Sequence, residues 1–160
     1  MKLQVIAAGR LKPGPEKSLA GDYLTRAQGL GRKCGISTIA VTEFSESQAA
    51  SPAARMAEEG RIIAGALAPK CFAIVLDERG KALASGAFAE LLRRHLDGGA
   101  SDMAFLIGGP DGHAPELRET AGLLMSFGPM TWPHRLARVM LFEQLYRAVT
   151  IIAGHPYHRV

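Results

Sequence analysis

The chain has 160 residues, 48% of them hydrophobic and 21% charged, with a formal net charge of +4 and an isoelectric point near 9.3. That hydrophobic content excludes a disordered chain, and no apolar run approaches the roughly 20 residues of a membrane-spanning helix. The two cysteines, Cys34 and Cys71, are too few for a disulfide framework, and neither has a metal-ligand neighbour at the right spacing. Arg10 and Lys12 interrupt the opening apolar stretch too early for a secretion signal, so the expectation is one cytoplasmic domain over residues 1–160. The charge is uneven: residues 1–35 hold seven Lys or Arg against Glu16 and Asp22, while the rest balance twelve basic groups against thirteen acidic ones. A basic N-terminal segment attracts a polyanion, which makes Arg10 and Lys12 candidates for phosphate contact.

In chain order, residues 3–9 read as a buried strand stopped by Gly9, followed by the loop Lys12-Pro13-Gly14-Pro15. Residues 16–24 suit a helix with Leu19, Ala20 and Tyr23 inward, and residues 36–44, rich in β-branched side chains, a second strand. Pro52 opens a helix to Ile63, with Ile62 and Ile63 on its apolar side. Residues 71–76 form a third strand, with Cys71 as a small hydrophobe at its start, and residues 77–80 a charged turn. Ser85 stands where an N-cap would precede the helix 86–96, which Gly98 and Gly99 end. Residues 103–107 are a fourth strand entering Gly108-Gly109-Pro110-Asp111-Gly112. A short helix from Pro115 to about Gly122, an apolar segment 123–127 and a long helix from Pro133 to about Ala153 follow, the last with Leu136, Val139, Met140, Leu145, Val149 and Ile152 inward and Glu143 paired to Arg147. Strands alternating with helices specify an α/β fold with a mostly parallel sheet and helices on both sides.

In such folds ligands sit beyond the carboxyl ends of the strands, where Gly108, Gly109 and Gly112 fall. Glycines there let a ligand approach the main chain. A second Gly-Pro, Gly128-Pro129, follows the fifth apolar segment and leads through Met130, Thr131 and Trp132 to Pro133. The two loops are candidates for opposite walls of one pocket, and Leu76-Asp77 for a third. With no G-x-G-x-x-G after the first strand and no Walker A sequence, the pocket suits an adenosine held by main-chain contacts better than a dinucleotide.

The chain resembles the SPOUT (knotted) methyltransferases, specifically the small members that modify N3 of a pseudouridine in large-subunit ribosomal RNA. The resemblance rests on Leu76-Asp77-x-x-Gly80, Phe105-Leu106-Ile107-Gly108-Gly109-Pro110-Asp111-Gly112 and Met130-Thr131-x-Pro133-His134-x-Leu136-x-Arg138. Glu143-Gln144-Leu145-Tyr146-Arg147-Ala148 and Pro156-Tyr157-His158-Arg159 complete it. It spans essentially the whole chain and is weak over residues 25–65. It implies an α/β fold with a C-terminal deep trefoil knot, a homodimer, and S-adenosylmethionine bound by Leu76, Gly108, Gly109, Gly128, Pro129, Met130, Thr131, Trp132 and Pro133. Its implied substrate is large-subunit ribosomal RNA in the assembled 70S ribosome. Two departures stand out: Phe127-Gly128-Pro129 where the family has a serine-leucine-serine lead, and His113 where it has an apolar residue.

Uracil N3 carries a proton that must leave before the nitrogen can attack a methyl group. His158 is the first candidate base, with Tyr157 to stack on or hydrogen-bond the ring and Arg159 to offset charge on a carbonyl oxygen. His134 is the competitor; desolvation by the pocket alone is the third possibility. His134 and Arg138 are also candidate RNA contacts, while His95 and His113 read as surface residues. The competing functions are a ribosome- or RNA-binding protein without catalysis, which leaves the glycine loops unexplained, and a knotted methyltransferase acting on tRNA.

Overall fold

The computed structural model describes residues 1–157. Its strands are β1 (Lys2–Ala8), β2 (Thr38–Phe44), β3 (Phe72–Ala82), β4 (Asp102–Ile107) and β5 (Leu123–Ser126); its helices are α1 (Pro15–Gly31), α2 (Pro52–Ala66), α3 (Ser85–Asp97), α4 (Pro115–Glu119) and α5 (His134–Ile152). All five strands are parallel, in the order β2-β1-β4-β3-β5. The alternation of a strand sends Leu3, Val5 and Ala7 to one face and Ile6 to the other. The first face packs on α1, α3 and α5 through residues such as Ala20, Phe88, Leu92, Leu141 and Leu145. The second packs on α2 and α4 through Ile63 and Leu117. The expected two-sided α/β arrangement is therefore present, with the larger core around α5. Among the described residues no helix is long and apolar enough to cross a membrane.

Several boundaries differ from the sequence reading. Helix α1 runs to Gly31 rather than Leu24, and Leu19 is 46% exposed. Ile62, read as inward, and Leu136, read as a core residue of α5, are exposed as well. The charged residues 77–80 do not end β3: the strand continues to Ala82 with a register shift between Leu76 and Lys81. Gly80 explains the shift, because a Cβ there would lie 2.6 Å from the backbone of Leu124 and Met125. Only glycine lets β5 come that close after the bulge. Ser85 does not cap α3. It is the first helical residue, and its Oγ donates to Gln144 Oε1 on α5 at 2.8 Å, so its hydroxyl joins two helices instead.

Candidate active site

The carboxyl ends of β3, β4 and β5 open into one cavity of about 580 Å³. Leu76, Ile107 and Met125 form its apolar floor at the strand tips. Gly108 and Gly109 form one wall, and Gly128, Met130, Thr131, Trp132 and Pro133 the opposite one. The three walls anticipated from the sequence thus come together, and every residue expected to hold the cofactor lines the cavity except Pro129. Met130 is 70% and Trp132 41% exposed, so they sit at the mouth rather than in the core. Ser126 steadies the second wall: its Oγ donates to the Gly128 carbonyl and accepts the Gly128 N–H, which sets a glycine at φ +112°.

The glycine wall is close-packed from behind. A Cβ on Gly108 would lie 2.9 Å from the Gly112 carbonyl oxygen, and one on Gly109 2.9 Å from Glu59 Oε2. His113 follows the turn and is buried, not exposed as its polarity suggests. Neither ring nitrogen has a hydrogen-bond partner, and burial depresses the imidazole to about 4, opposed in part by the nearby Asp77 carboxylate and the Leu106 and Leu76 carbonyls. The ring is therefore neutral at neutral pH.

His134 lines the cavity, its Nε2 3.7 Å from Glu46 Oε1 on the loop after β2. Gly9 lies beside both groups. That places the exposed Arg10 and Lys12 on the loop next to the His134 side of the cavity. Arg138 does not share that role. It is fully buried, with its guanidinium on Glu43 at 2.5 Å and on the carbonyls of Ala8 and Gly9 at 3.2 and 2.9 Å. The sequence made it a candidate RNA contact beside His134, but the helix turns it into the sheet.

Tyr157 lies elsewhere. Its ring packs 4.6 Å from that of Tyr146, under the Arg147 guanidinium, and its hydroxyl donates to Glu143 Oε1 at 3.3 Å. Burial, with Tyr23 and Glu143 beside it, raises the phenol to about 12. The expected Glu143–Arg147 pair is present, both Nε and Nη2 donating to Oε1. His158 and Arg159 lie outside the described residues.

The sequence reading missed Arg55, Glu59 and Glu46, which stand behind the residues that line the cavity. No local pattern could reveal them: Arg55 and its partner Asp111 are 56 positions apart, and they fall in or against the stretch where the resemblance is weakest. His113 did carry a signal, as a polar residue at a position otherwise apolar.

A family model described as "Predicted SPOUT methyltransferase" matches residues 1–158. A protein of Bradyrhizobium diazoefficiens named "Ribosomal RNA large subunit methyltransferase H" is 52% identical over 159 residues, covering 99% of both chains. A protein of the same name from Rhodopseudomonas palustris (strain HaA2) is 54% identical over 160 residues, again covering 99% of both. Among solved structures, a probable methylase family protein of Haemophilus influenzae superposes with a TM-score of 0.48 at 11% identity, covering 99% of this chain and 70% of the other.

Proposed function

The chain belongs to the SPOUT methyltransferase family, and from that premise we propose that it methylates N3 of a pseudouridine in large-subunit ribosomal RNA, with S-adenosylmethionine as methyl donor. The observation that carries this reading is identity of 52% and 54%, end to end, with two ribosomal RNA large subunit methyltransferases. The fold is the α/β, knotted type of that family.

The cavity suits the donor. Its volume lies within the roughly 300–1,000 Å³ of small-molecule sites. An adenine needs an apolar slot and main-chain hydrogen bonds, which Leu76, Ile107 and Met125 and the side-chain-free Gly108 and Gly109 offer. No phosphate has to be held, and no phosphate loop is present. Bound there, the donor supplies an electrophilic methyl group on a sulfonium.

The protein's own task is to align N3 with that methyl group, exclude water and take the N3 proton. Arg10 and Lys12 hold RNA phosphates beside the cavity. His158 is the first candidate base and His134, in the cavity wall, the second. Tyr157 serves as an anchor for the tail: a phenol raised to about 12 does not accept a proton at neutral pH. Its neighbour Tyr146 stands twelve residues past His134, about 18 Å along the helix. With Tyr157 held that far from its own cavity, a homodimer in which the C-terminal residues of one protomer complete the cavity of its partner is the arrangement we favour. The protein then acts as a single-domain, cytoplasmic enzyme on the assembled 70S ribosome.

The test is methyl transfer from labelled S-adenosylmethionine to 70S ribosomes, 50S subunits or bulk tRNA from a strain lacking the modification, with the label mapped by nuclease digestion and mass spectrometry. Label on a large-subunit pseudouridine, strongest with 70S particles, is expected. Label on tRNA alone, or none with donor bound, overturns the reading.

A further inference from the structure

The glycine wall has little to hold its shape from within. Residues 108–112 contain three glycines, Gly112 sits at φ +84°, and the turn's internal bond runs from the Gly112 N–H to the Gly109 carbonyl at 3.0 Å. Among the described residues, its side-chain hydrogen bonds to the rest of the molecule are those of Asp111, which accepts from Arg55 Nε at 2.6 Å and Nη2 at 3.1 Å. This two-pronged geometry fixes direction as well as distance. It holds the Asp111 carboxyl below its ordinary range, chiefly through the Arg55 hydrogen bond. The third prong of Arg55, Nη1, donates to the Ala49 carbonyl at 3.1 Å, tying in the loop after β2.

One turn further along α2, Glu59 is 4% exposed. Its Oε1 accepts the Ser47 N–H at 3.0 Å, while Oε2 stands where a Cβ on Gly109 would meet it. Helix α2 is a firm backing, since a Cβ on Gly60 would come within 3.0 Å of Ala114, just past the turn. Arg55 and Glu59 do not line the cavity, whereas Asp111, Gly108 and Gly109 do.

We propose that Arg55 and Glu59 are positioning residues for the methyl donor: from behind the wall they hold the glycine turn, through Asp111 and Gly109, in its ligand-binding shape. This rests on the cavity being the donor site. A flexible turn binds with an affinity reduced by the fraction of time it spends in the competent shape. Freeing it so that one conformer in ten is competent weakens binding about tenfold.

The probe is S-adenosylhomocysteine, titrated calorimetrically into the wild-type protein, Arg55→Ala, and the exchange Arg55→Asp with Asp111→Arg. Arg26→Ala, which breaks an exposed pair with Asp22 on α1, is the control. Wild-type protein that does not bind the probe overturns the donor site itself. With wild-type binding in hand, the clamp predicts about tenfold weaker binding for Arg55→Ala, substantial recovery in the exchange variant and no change in the control. In turnover, the loss falls on KM for the donor rather than on kcat. Arg55→Ala binding within twofold of wild type overturns the clamp. So does a loss that the exchange leaves uncorrected and that merely follows a falling melting temperature.

Discussion

The two ends of α5 are built on opposite terms. At the tail end the charged groups are paired with one another: Glu143 accepts from Arg147, Gln144 and Tyr157, and the rings of Tyr146 and Tyr157 pack together. At the cavity end, His134 stands 3.7 Å from Glu46, too far for a hydrogen bond. The buried side-chain nitrogens without a partner among the described residues are both of His113 and Nε of Arg138, all toward this end. Buried polar groups are ordinarily paired, so a concentration of unpaired ones marks where the fold has given up stability for a function. The tail end is largely paired within itself; the cavity end leaves buried nitrogens unpaired.

Arg138 offers the strongest way to break that comparison, because it ties the cavity end of α5 to β1 and β2. Arg138→Ala leaves Glu43 with only the Leu11 N–H among the described residues, removes the donor from the Ala8 and Gly9 carbonyls and opens a void. Glu43 is partly exposed, so the cost falls below the penalty of a fully buried pair, at about 2–3 kcal/mol. Urea denaturation of the variant should show a loss of that size. A loss below about 1 kcal/mol would mean that the cavity end is held by packing alone.

Arg138 also shows what the sequence could and could not convey. The strands, the two-sided sheet and the loops around Gly108 and Gly128 were legible because hydrophobic period and glycine position are local signals. The direction of one side chain on a helix is not local. Arg138 reads as surface charge until β1 and β2 are laid against it, as Ser85 reads as a cap until Gln144 arrives from 59 positions away. The Gly80 bulge was misread for a related reason: a strand that leaves β4 and rejoins β5 in a shifted register carries, at the shift, the charged and glycine residues of a turn.

An effect confined to acid tests whether His113 belongs with the unsatisfied groups. Its folded-state value is about 4 against an ordinary 6.5, so the unfolded chain takes up a proton first. The stability from keeping this ring neutral is therefore fully present above pH 6.5. It is lost as pH falls from 6.5 toward 4, by about 3 kcal/mol in all. Asp77 and Arg118 face the ring, and carboxylates elsewhere titrate in the same window, so the informative quantity is a difference. Unfolding free energies of wild type and His113→Leu, measured at pH 7 and pH 4, should diverge in slope by that amount, with the leucine variant flatter. Parallel slopes would show that the ring finds a partner after all.

Tyr157 gives the smallest effect and the sharpest reading of the tail end. Tyr157→Phe removes the hydroxyl that meets Glu143 at 3.3 Å and faces Tyr23, and keeps the ring against Tyr146 and Arg147. Losing so long and partly exposed a bond should cost about 1 kcal/mol. Because the phenol is raised to about 12, it stays neutral through the range in which the enzyme can be assayed. An anchor predicts that Tyr157→Phe keeps the shape of the rate–pH profile between pH 6 and 10, with rates within a few-fold of wild type. Tyr157→Ala, which also removes the packed ring, should lose far more at every pH. A profile whose alkaline limb disappears in the phenylalanine variant would place the phenol in proton transfer. The satisfied network around Glu143 would then be part of the chemistry rather than its mooring.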